Sequence, residues 1–204
     1  AFCAGADIST FPETPEQARD FIAGVLPVLE APERCRKPLI AAVNGFAFGG
    51  GFELAIACDF ILASERAKFG VPEIQLGLLP GFALLRLHQI VGRPKAKELS
   101  MLGEPIAAAE AVSLGIALRT VPHDKLMETA EEVARTILRN DQASVRSAKQ
   151  VVLDMIGRNL DDQLYKEAYA SYTLMASNPT VPGLLASFYA KTDKGRHGVN
   201  ATGL

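Results

Sequence analysis

The chain has 204 residues, of which 49% are hydrophobic and 22% are charged, and its formal net charge is −2. This length suffices for one hydrophobic core with a helical appendage, and the composition excludes a disordered or collagen-like chain. The near-neutral charge argues against a nucleic-acid surface, which usually has a strong basic excess.

The sequence pattern argues against disulfides, zinc sites and membrane spans. Three scattered cysteines, Cys3, Cys35 and Cys58, argue against a disulfide framework and indicate a reducing compartment. The longest apolar run, residues 39–43, is far too short to span a bilayer. Because the sequence starts abruptly on Ala1 without Met, we expect it to be the interior of a longer parent. The histidines have no spacing typical of zinc: His88, His123 and His197.

The first predicted element is a helix from Pro15 to about residue 30. Thr14 can cap this helix, Pro15 suits the first helical position, and Gln17 completes a capping box. After Lys37-Pro38, the continuous apolar run of residues 39–43 is typical of a buried parallel strand.

A glycine triplet at residues 49–51 follows this strand and opens a helix over residues 52–58. The helix is apolar nearly all round, so we expect it to be buried. Residues 59–63 form another short apolar run that predicts a strand. Strand, glycine turn, buried helix and strand together indicate a βαβ unit, so the predicted fold class is α/β.

Helices dominate the rest of the chain after turn signals at Pro72-Glu73 and Pro80-Gly81. Asp124 is predicted to cap one of them, and Thr180 with Pro182 to open a final short one. A last strand is predicted at residues 116–121. The sequence pattern predicts the other helices at residues 94–102, 107–114, 124–139, 144–156 and 160–175.

The glycine triplet is the first candidate for chemistry. Backbone N–H groups at a helix start are oriented donors, and glycine lets a ligand approach the backbone closely. A phosphate loop would end in Gly-Lys-Ser or Gly-Lys-Thr, whereas Phe52-Glu53 follows here, and its carboxylate would repel phosphate. A carbonyl oxygen that gains negative charge fits better, which makes the triplet a candidate oxyanion hole. Tight packing of helix on strand is the alternative interpretation.

Glu53 and Glu73 are the candidate acid and base. A carboxylate in so apolar a helix is costly unless it is neutral, paired in a buried salt bridge or functional, which singles out Glu53. Glu73 follows the next strand, near the edge where ligands bind in open α/β folds, although it could also be an exposed loop residue. Two carboxylates in one pocket can hold a water and exchange protons with a substrate. Burial and mutual repulsion would raise at least one pKa, giving one acid and one base near neutral pH.

Other candidates are weaker. Ser113, His123 and Asp124 could form a Ser/His/Asp triad, but no nucleophile elbow is present. Cys58 lies in the buried helix, where an inert packing role is expected. Three tyrosines fall at helical spacing, which is more often typical of a core or an interface: Tyr165, Tyr169 and Tyr172.

Three long motifs follow one another along the chain: residues 2–8 (FCAGADI), residues 37–54 (KPLIAAVNG, then GGGFEL) and residues 69–81 (FGVPEI, then Gly77 and Pro80-Gly81). In that order they resemble the first and second oxyanion-hole motifs and the third landmark of the crotonase, or enoyl-CoA hydratase/isomerase, family. Order and spacing agree across nearly the whole chain. As a set the motifs are highly specific for the family and less specific for the reaction.

The resemblance implies an architecture. Family members fold as a spiral of ββα and βαβ units followed by C-terminal helices that form trimers, often as a dimer of trimers. We therefore expect an α/β spiral core over residues 1–139 and a helical oligomerisation region over residues 140–204. The family has several dozen residues before the first motif, so the N-terminal part of the spiral is expected to be absent from this chain. A homotrimer or dimer of trimers is implied, in a bacterial cytoplasm or, for a eukaryotic source, the mitochondrial matrix.

The resemblance also implies roles for individual residues. The N–H groups of Ala6 and Gly50 would bind the thioester oxygen of an acyl-CoA as that oxygen gains enolate character. Glu53 would act as base toward the water that adds to C3, and Glu73 would deliver the proton to C2. The backbone around Ala4 would meet the adenine. The full set of implied acyl-CoA contacts is Ala4, Ala6, Asp7, Ile8, Gly49 and Gly50.

The implied activity is that of an enoyl-CoA hydratase of lipid metabolism, which adds water syn across the C2=C3 double bond of a 2-enoyl-CoA. A double-bond isomerase or another acyl-CoA lyase or hydratase of the family is the alternative, but an isomerase commonly needs one carboxylate, so the pair favours hydration. An RNA-binding homologue would need a basic groove, and a protease relative a Ser/His pair at the motif positions. Coenzyme A is part of the substrate, so we expect no separate cofactor, no metal, no nucleic-acid partner and no membrane partner.

The sequence departs from the family pattern at two places. Residues 82–85 (FALL) stand where a small glycine-threonine stretch is usual, which implies a different acyl pocket or a different nearby interface. Ser9 stands where hydratases often have lysine, which weakens one possible coenzyme contact. Neither departure removes a catalytic group.

Overall fold

The computed structural model describes residues 1–196, with side chains for residues 1–190. The chain separates into two compact units, Ala1–Arg139 and Asn140–Leu204. Within the described residues all β-strands belong to the first unit, and the second unit is helical.

The first unit contains both strands and helices. Its strands are β1 (Ile40–Val43), β2 (Phe46–Phe48), β3 (Phe60–Ser64), β4 (Lys68–Gly70), β5 (Ile106–Ala107) and β6 (Arg119–Val121). Its helices are α1 (Pro15–Arg34), α2 (Gly50–Ala57), α3 (Gly81–Leu102), α4 (Ala108–Ser113) and α5 (Leu126–Leu138), with 3-10 turns at Ile8–Thr10, Pro72–Leu76 and His123–Lys125. The second unit contains α6 (Gln142–Asp154), α7 (Leu160–Ser177) and α8 (Val181–Arg196).

The strands form two three-stranded sheets. In one sheet β3 lies between β1 and β6 and is parallel to both. In the other β4 lies between β2, to which it is parallel, and β5, to which it is antiparallel. The parallel pairing of β1 with β3 across α2 confirms the predicted βαβ unit. The second sheet was not predicted, because its two- and three-residue strands are too short to show a hydrophobic period.

Helix α1 begins where the capping pattern predicts. The Thr14 hydroxyl accepts a hydrogen bond from the N–H of Gln17, and the Gln17 side chain accepts one from the N–H of Thr14. The helix continues past residue 30 to Arg34, although Pro27 and Pro32 lie inside it. Pro32 is buried and Pro27 is exposed, and each proline removes a backbone N–H donor from the helix.

Two predicted helix starts differ from the structure. The helix predicted to begin at Pro94 is the second half of α3, which is interrupted at Gly92 by non-helical angles (φ 74°, ψ 164°). Asp124 does not cap α5, because it lies in a 3-10 turn and the helix begins at Leu126. The last helix, α8, has 16 residues and is longer than predicted.

The core of the first unit forms around α2, which is buried as predicted. Phe52 on α2 and Phe69 on β4 pack with their ring centroids 5.5 Å apart, and both side chains are buried. Burying one such side chain stabilises a fold by about 2–3 kcal/mol relative to its exposure. Since α2 is held by this core, the site residues at its first turn have a fixed position.

The second unit is organised around Asp141. Its carboxylate caps α6 by accepting from the N–H of Ser144, and also accepts hydrogen bonds from Thr180 and Asn178. These bonds lower the pKa of Asp141 to about 2, and the bond from the Ser144 N–H has the largest effect. The three tyrosines of α7 are exposed in the single chain, so the core interpretation of them is wrong and the interface interpretation stays a prediction. No helix in residues 1–196 combines the length and apolarity needed to cross a membrane.

Candidate functional site

The first two motifs lie side by side because the start of the chain pairs with β2. The N–H groups of Phe2 and Cys3 donate to the carbonyl of Phe46, and the N–H of Phe48 donates to the carbonyl of Cys3 at 3.0 Å. This pairing places Ala4 to Ala6 next to the glycine triplet at the start of α2. Two segments more than 40 residues apart in sequence thereby form one wall of a cavity.

The N–H groups of Ala6 and Gly50 are neighbours on this wall. A Cβ atom on Gly50 would lie 3.8 Å from the Ala6 nitrogen, and one on Gly5 would lie 3.6 Å from the Gly50 nitrogen. Gly50 is the first residue of α2, at the positive end of the helix dipole. Neither N–H group donates to another atom in the part of the chain that the structure describes. The pair can therefore donate to an oxygen that develops negative charge.

Gly49 lets a carboxylate approach the backbone beside this pair. Its angles (φ 53°, ψ −128°) are unfavourable for residues with a side chain. A Cβ atom here would lie 2.8 Å from Oε1 of Glu73. The backbone conformation therefore requires glycine here, and any side chain would also displace the Glu73 carboxylate.

Glu53 lies in the first turn of α2, on the cavity wall, and its side chain is only 7% exposed. Its Oε1 accepts a hydrogen bond of 2.9 Å from the N–H of Ala83, in the first turn of α3. Burial raises the pKa of Glu53, and the N–H groups of Ala83 and Phe82 partly oppose that rise. No cation pairs with Glu53 within the described residues, so the buried salt bridge considered from the sequence is not formed.

Glu73 lies in the 3-10 turn Pro72–Leu76, directly after β4. It is partly buried, which rules out a fully exposed loop residue. Its Oε2 is buried and has no hydrogen-bond partner among the described residues. Burial raises the pKa of Glu73, its own N–H opposes the rise, and the charge of Glu53 adds to it. An unpaired buried carboxylate oxygen is costly when ionised, so a protonated Glu73 is favoured.

Both glutamates line one cavity of about 350 Å³. Of the predicted site residues it also contains Ala4, Ala6, Ile8, Gly49 and Gly50. The remaining wall is apolar except for backbone atoms and comes mostly from α1 and the segment after Glu73: Gly5, Phe11, Pro12, Ala18, Phe21, Ile22, Val25, Pro72, Leu76, Leu78 and Leu79. The geometry thus combines a polar end, with two carboxylates and two N–H donors, and a hydrocarbon-lined remainder.

Asp7 is the predicted contact residue that does not line the cavity. Its exposed carboxylate caps the 3-10 turn Ile8–Thr10 by accepting from the hydroxyl and the N–H of Ser9, at 2.8 and 3.0 Å. Both hydrogen bonds lower the pKa of Asp7, and the bond from the Ser9 hydroxyl has the larger effect. A coenzyme contact for Asp7 stays a prediction.

The apolar segment at residues 82–85 does not line the cavity either. Phe82 is buried between Leu29 of α1 and Ala57 of α2, and Ala83 is fully buried. Of the two consequences expected for this departure from the family, neither a changed acyl pocket nor a changed interface is decided by these contacts, and both stay predictions. Only the bulk of Phe82 is packed between helices, whereas Leu85 is 51% exposed.

The weaker candidates do not assemble into a site. The Ser113 hydroxyl donates to the carbonyl of Glu110, while Nδ1 of His123 lies 3.0 Å from the hydroxyl of buried Ser64. The triad of Ser113, His123 and Asp124 is thus not formed. His197 lies outside the described residues.

We expect Glu53→Gln to unfold at a higher temperature than the native protein above pH 4.5, the ordinary pKa of the group. Because the folded-state pKa of Glu53 is raised, its contribution to stability is complete below the unfolded pKa and is lost as pH rises through the folded pKa. Glutamine keeps the oxygen that accepts from Ala83 and cannot ionise. Thermal unfolding across the pH range checks this. The difference in melting temperature between Glu53→Gln and the native protein should grow with pH and then level off. An equal difference at every pH would contradict it.

The sequence pattern missed two contributors to the site. One is the N–H of Ala83, and the other is the ion pair between Glu33 of α1 and Arg86 of α3. A signal for the first existed: Pro80-Gly81 begins α3 without a Ser, Thr, Asp or Asn cap. The free N–H groups of that turn therefore need an acceptor from elsewhere in the chain.

Comparison with known proteins agrees with the motifs. The family model for enoyl-CoA hydratase/isomerase matches residues 1–193. "Probable enoyl-CoA hydratase" of Rhizobium meliloti is 41% identical over 196 residues, covering 94% of this chain and 74% of that protein. "Short-chain-enoyl-CoA hydratase" of Clostridium acetobutylicum is 41% identical, covering 83% of this chain and 66% of that protein. "Crotonyl-CoA hydratase" of Syntrophomonas wolfei is 38% identical, covering 91% of this chain and 72% of that protein.

Solved structures share the fold. The crystal structure of enoyl-CoA hydratase from Bacillus anthracis superposes with a TM-score of 0.85 at 37% identity, over 94% of this chain and 74% of that one. The predicted α/β fold with a helical C-terminal region is thereby confirmed. The chain belongs to the enoyl-CoA hydratase/isomerase family.

Proposed function

We propose that this protein is an enoyl-CoA hydratase, a lyase that adds water to the C2=C3 double bond of a 2-enoyl-CoA thioester. The observation that supports this best is the pair Glu53 and Glu73 on one cavity, beside two unpaired N–H donors. Relatives with hydratase names at about 40% identity support the same reaction.

In the proposed mechanism the thioester oxygen accepts hydrogen bonds from the N–H groups of Ala6 and Gly50. As water adds to C3, the electron pair of the double bond moves toward that oxygen, which gains enolate character. Two fixed donors stabilise this charge as it forms, and losing one such donor typically costs about 3–4 kcal/mol of barrier.

The two glutamates divide the proton transfers. Burial raises the pKa of Glu53, which suits a base near neutral pH, and the N–H of Ala83 partly opposes that rise by stabilising the ionised form. Glu53 takes a proton from the water as the water oxygen bonds to C3. Glu73, whose protonated form is favoured by burial and by the charge of Glu53, delivers its proton to C2. The proton returns from Glu53 to Glu73 after the product leaves, so each turnover consumes one water and regenerates the site.

Disappearance of the enoyl-thioester absorbance on mixing with crotonyl-CoA tests this proposal. The hydratase should produce the 3-hydroxyacyl-CoA and reach the same equilibrium from either side. If the protein binds the thioester but forms no hydroxyl product, and instead moves the double bond of a 3-enoyl-CoA, the isomerase alternative is correct.

The apolar remainder of the cavity supports an unsubstituted hydrocarbon as the acyl group. Phe11 and Phe21 pack edge to face there, with ring centroids 5.6 Å apart, and both line the cavity. No ionisable side chain other than the two glutamates lines it among the described residues. A charged acyl group would therefore lose hydration without gaining a partner.

We expect Phe21→Ala to raise the preference for longer chains by about tenfold, since removing the ring enlarges the apolar space and accommodating a single further methylene is worth about 1–3 kcal/mol. The measurement is the ratio of kcat/KM for 2-decenoyl-CoA to that for crotonyl-CoA. Leu26→Ala, on the same helix but outside the cavity lining, is the control and should leave the ratio unchanged. An unchanged ratio for Phe21→Ala would mean that the acyl chain of the substrate does not bind beside Phe21.

Further parts of the proposal rest on the family. Coenzyme A would enter only as part of the substrate, along the backbone from Ala4 to Ile8, and no other cofactor, metal or nucleic acid would take part. The exposed apolar side chains of α7, including Tyr165 and Leu164, support assembly of the second unit with further copies as a homotrimer or dimer of trimers. The compartment would be a bacterial cytoplasm or a mitochondrial matrix, and fatty acid β-oxidation the pathway.

A further inference from the structure

Glu53 replaces a missing helix cap. Helix α3 begins at Gly81 after Pro80, whose side chain cannot accept a hydrogen bond. The first-turn N–H of Ala83 is satisfied instead by Oε1 of Glu53, at 2.9 Å. The position of this carboxylate therefore depends on where the first turn of α3 lies.

An ion pair fixes that first turn. Arg86 lies one turn beyond Ala83, and its guanidinium donates from two nitrogens to the two carboxylate oxygens of Glu33, at the end of α1. The side chains are only 17% and 16% exposed. A bidentate pair shielded from water is stronger and more directional than an exposed ion pair.

The same arginine also contacts the turn directly. Its guanidinium carbon lies 5.0 Å from the centroid of the Phe82 ring, in a cation–π arrangement. Phe82 is 8% exposed and packs against Leu29 and Ala57. The residue next to Ala83 is thus held between α1, α2 and the Arg86 side chain.

We propose that Glu33 and Arg86 are positioning residues for catalysis, whose ion pair holds the first turn of α3 so that Ala83 donates to the base Glu53. Neither side chain lines the cavity, so both act through Ala83. The catalytic consequence rests on the proposed hydratase function. The positional consequence, that the hydrogen bond to Glu53 depends on the ion pair, does not.

The kinetic test uses Glu33→Gln, Arg86→Gln and the double variant with crotonyl-CoA. Each single variant should lower kcat by about tenfold, because a small misplacement of a catalytic group is costly, while KM changes by less than about twofold. Loss of the Ala83 hydrogen bond removes support for ionised Glu53, so its pKa rises and the acid limb of the kcat profile moves to higher pH. The double variant should match the worse single variant, because both substitutions break one interaction.

Glu110→Gln is the matched control. Glu110 pairs with Lys95, which lies on the second half of α3, and this pair is remote from Glu53 in sequence and outside the cavity lining. The control should leave kcat and its pH profile unchanged. A fall in melting temperature without a change in the pH profile of Glu33→Gln would show a purely structural ion pair and overturn the proposal.

A second readout needs no catalysis. The difference in unfolding free energy between Glu53→Gln and its parent is measured against pH, in the native background and in the Glu33→Gln background. The pH at which this difference levels off reports the folded-state pKa of Glu53. Glu73 is the other ionisable group beside it and is present in all four proteins. The plateau should move to higher pH in the Glu33→Gln background.

The kinetic readout and the stability readout together distinguish the proposed hydratase function from the positioning role of the ion pair. If the native protein does not hydrate crotonyl-CoA but the plateau moves, the proposed function fails and the ion pair still positions Glu53. If the protein is an active hydratase and neither the plateau nor the acid limb moves, the positioning proposal is wrong and the function stands.

Discussion

Replacing either Glu53 or Glu73 by glutamine is expected to lower kcat for crotonyl-CoA hydration by a factor of about 10³, with KM changed by less than about threefold. Both side chains line the cavity, and in the proposed mechanism one accepts and the other donates a proton in the transition state. Glutamine has nearly the same shape and can do neither. In the proposed mechanism the N–H donors and the apolar walls bind the thioester, and the substitutions leave both in place.

The pH profile assigns the two roles. In the native protein kcat should fall at low pH as Glu53 gains a proton and at high pH as Glu73 loses one. Residual activity of Glu53→Gln should lack the acid limb, and that of Glu73→Gln the alkaline limb. Because the groups are coupled, the observed pKa values belong to the pair.

Glu65→Gln is the control for these variants, since Glu65 is exposed and lies outside the cavity. The double variant Glu53→Gln/Glu73→Gln should be less than about tenfold worse than the poorer single variant, because residues that act as a unit are not additive. A large loss in only one of the two single variants would instead indicate chemistry with one carboxylate, as in double-bond isomerisation.

The parts of the site that were predictable from sequence are those defined by local pattern. The glycine triplet before an apolar helix, with a glutamate at its first turn, indicated a buried α2 and an unusual Glu53. The apolar run at residues 39–43 predicted β1. In each case the residues that determine the structure lie within one turn or one strand of each other.

Contacts between distant segments could not be predicted in this way. The bond from Ala83 to Glu53 joins residues 30 positions apart, and the pairing of Cys3 with β2 joins residues more than 40 apart. Neither is visible in a window of one helix or strand. The bulky segment at residues 82–85 is another example, because the packing of Phe82 against Leu29 of α1 and Ala57 of α2 was not visible from the sequence.

Gly51→Ala is expected to destabilise the fold by about 3 kcal/mol or more, the upper end for overpacking a core, and to abolish activity. A Cβ atom on Gly51 would lie 2.1 Å from the carbonyl oxygen of Cys3 and 2.7 Å from its carbonyl carbon. The obstacle is backbone, which no side-chain rotation can move. That backbone is itself fixed, because the N–H of Cys3 donates to Phe46 and its carbonyl accepts from Phe48.

Relief of this clash requires the first motif and α2 to separate, which would move the N–H of Ala6 away from that of Gly50. Gly24→Ala is the control, because Gly24 lies inside α1 with no atom within 4 Å of the added methyl. Alanine there should stabilise the protein by about 0.5–1 kcal/mol through its higher helix propensity. Urea unfolding followed by circular dichroism measures both variants. Equal midpoints for Gly51→Ala and the native protein would mean that Cys3 can move without loss of stability, and would contradict the prediction.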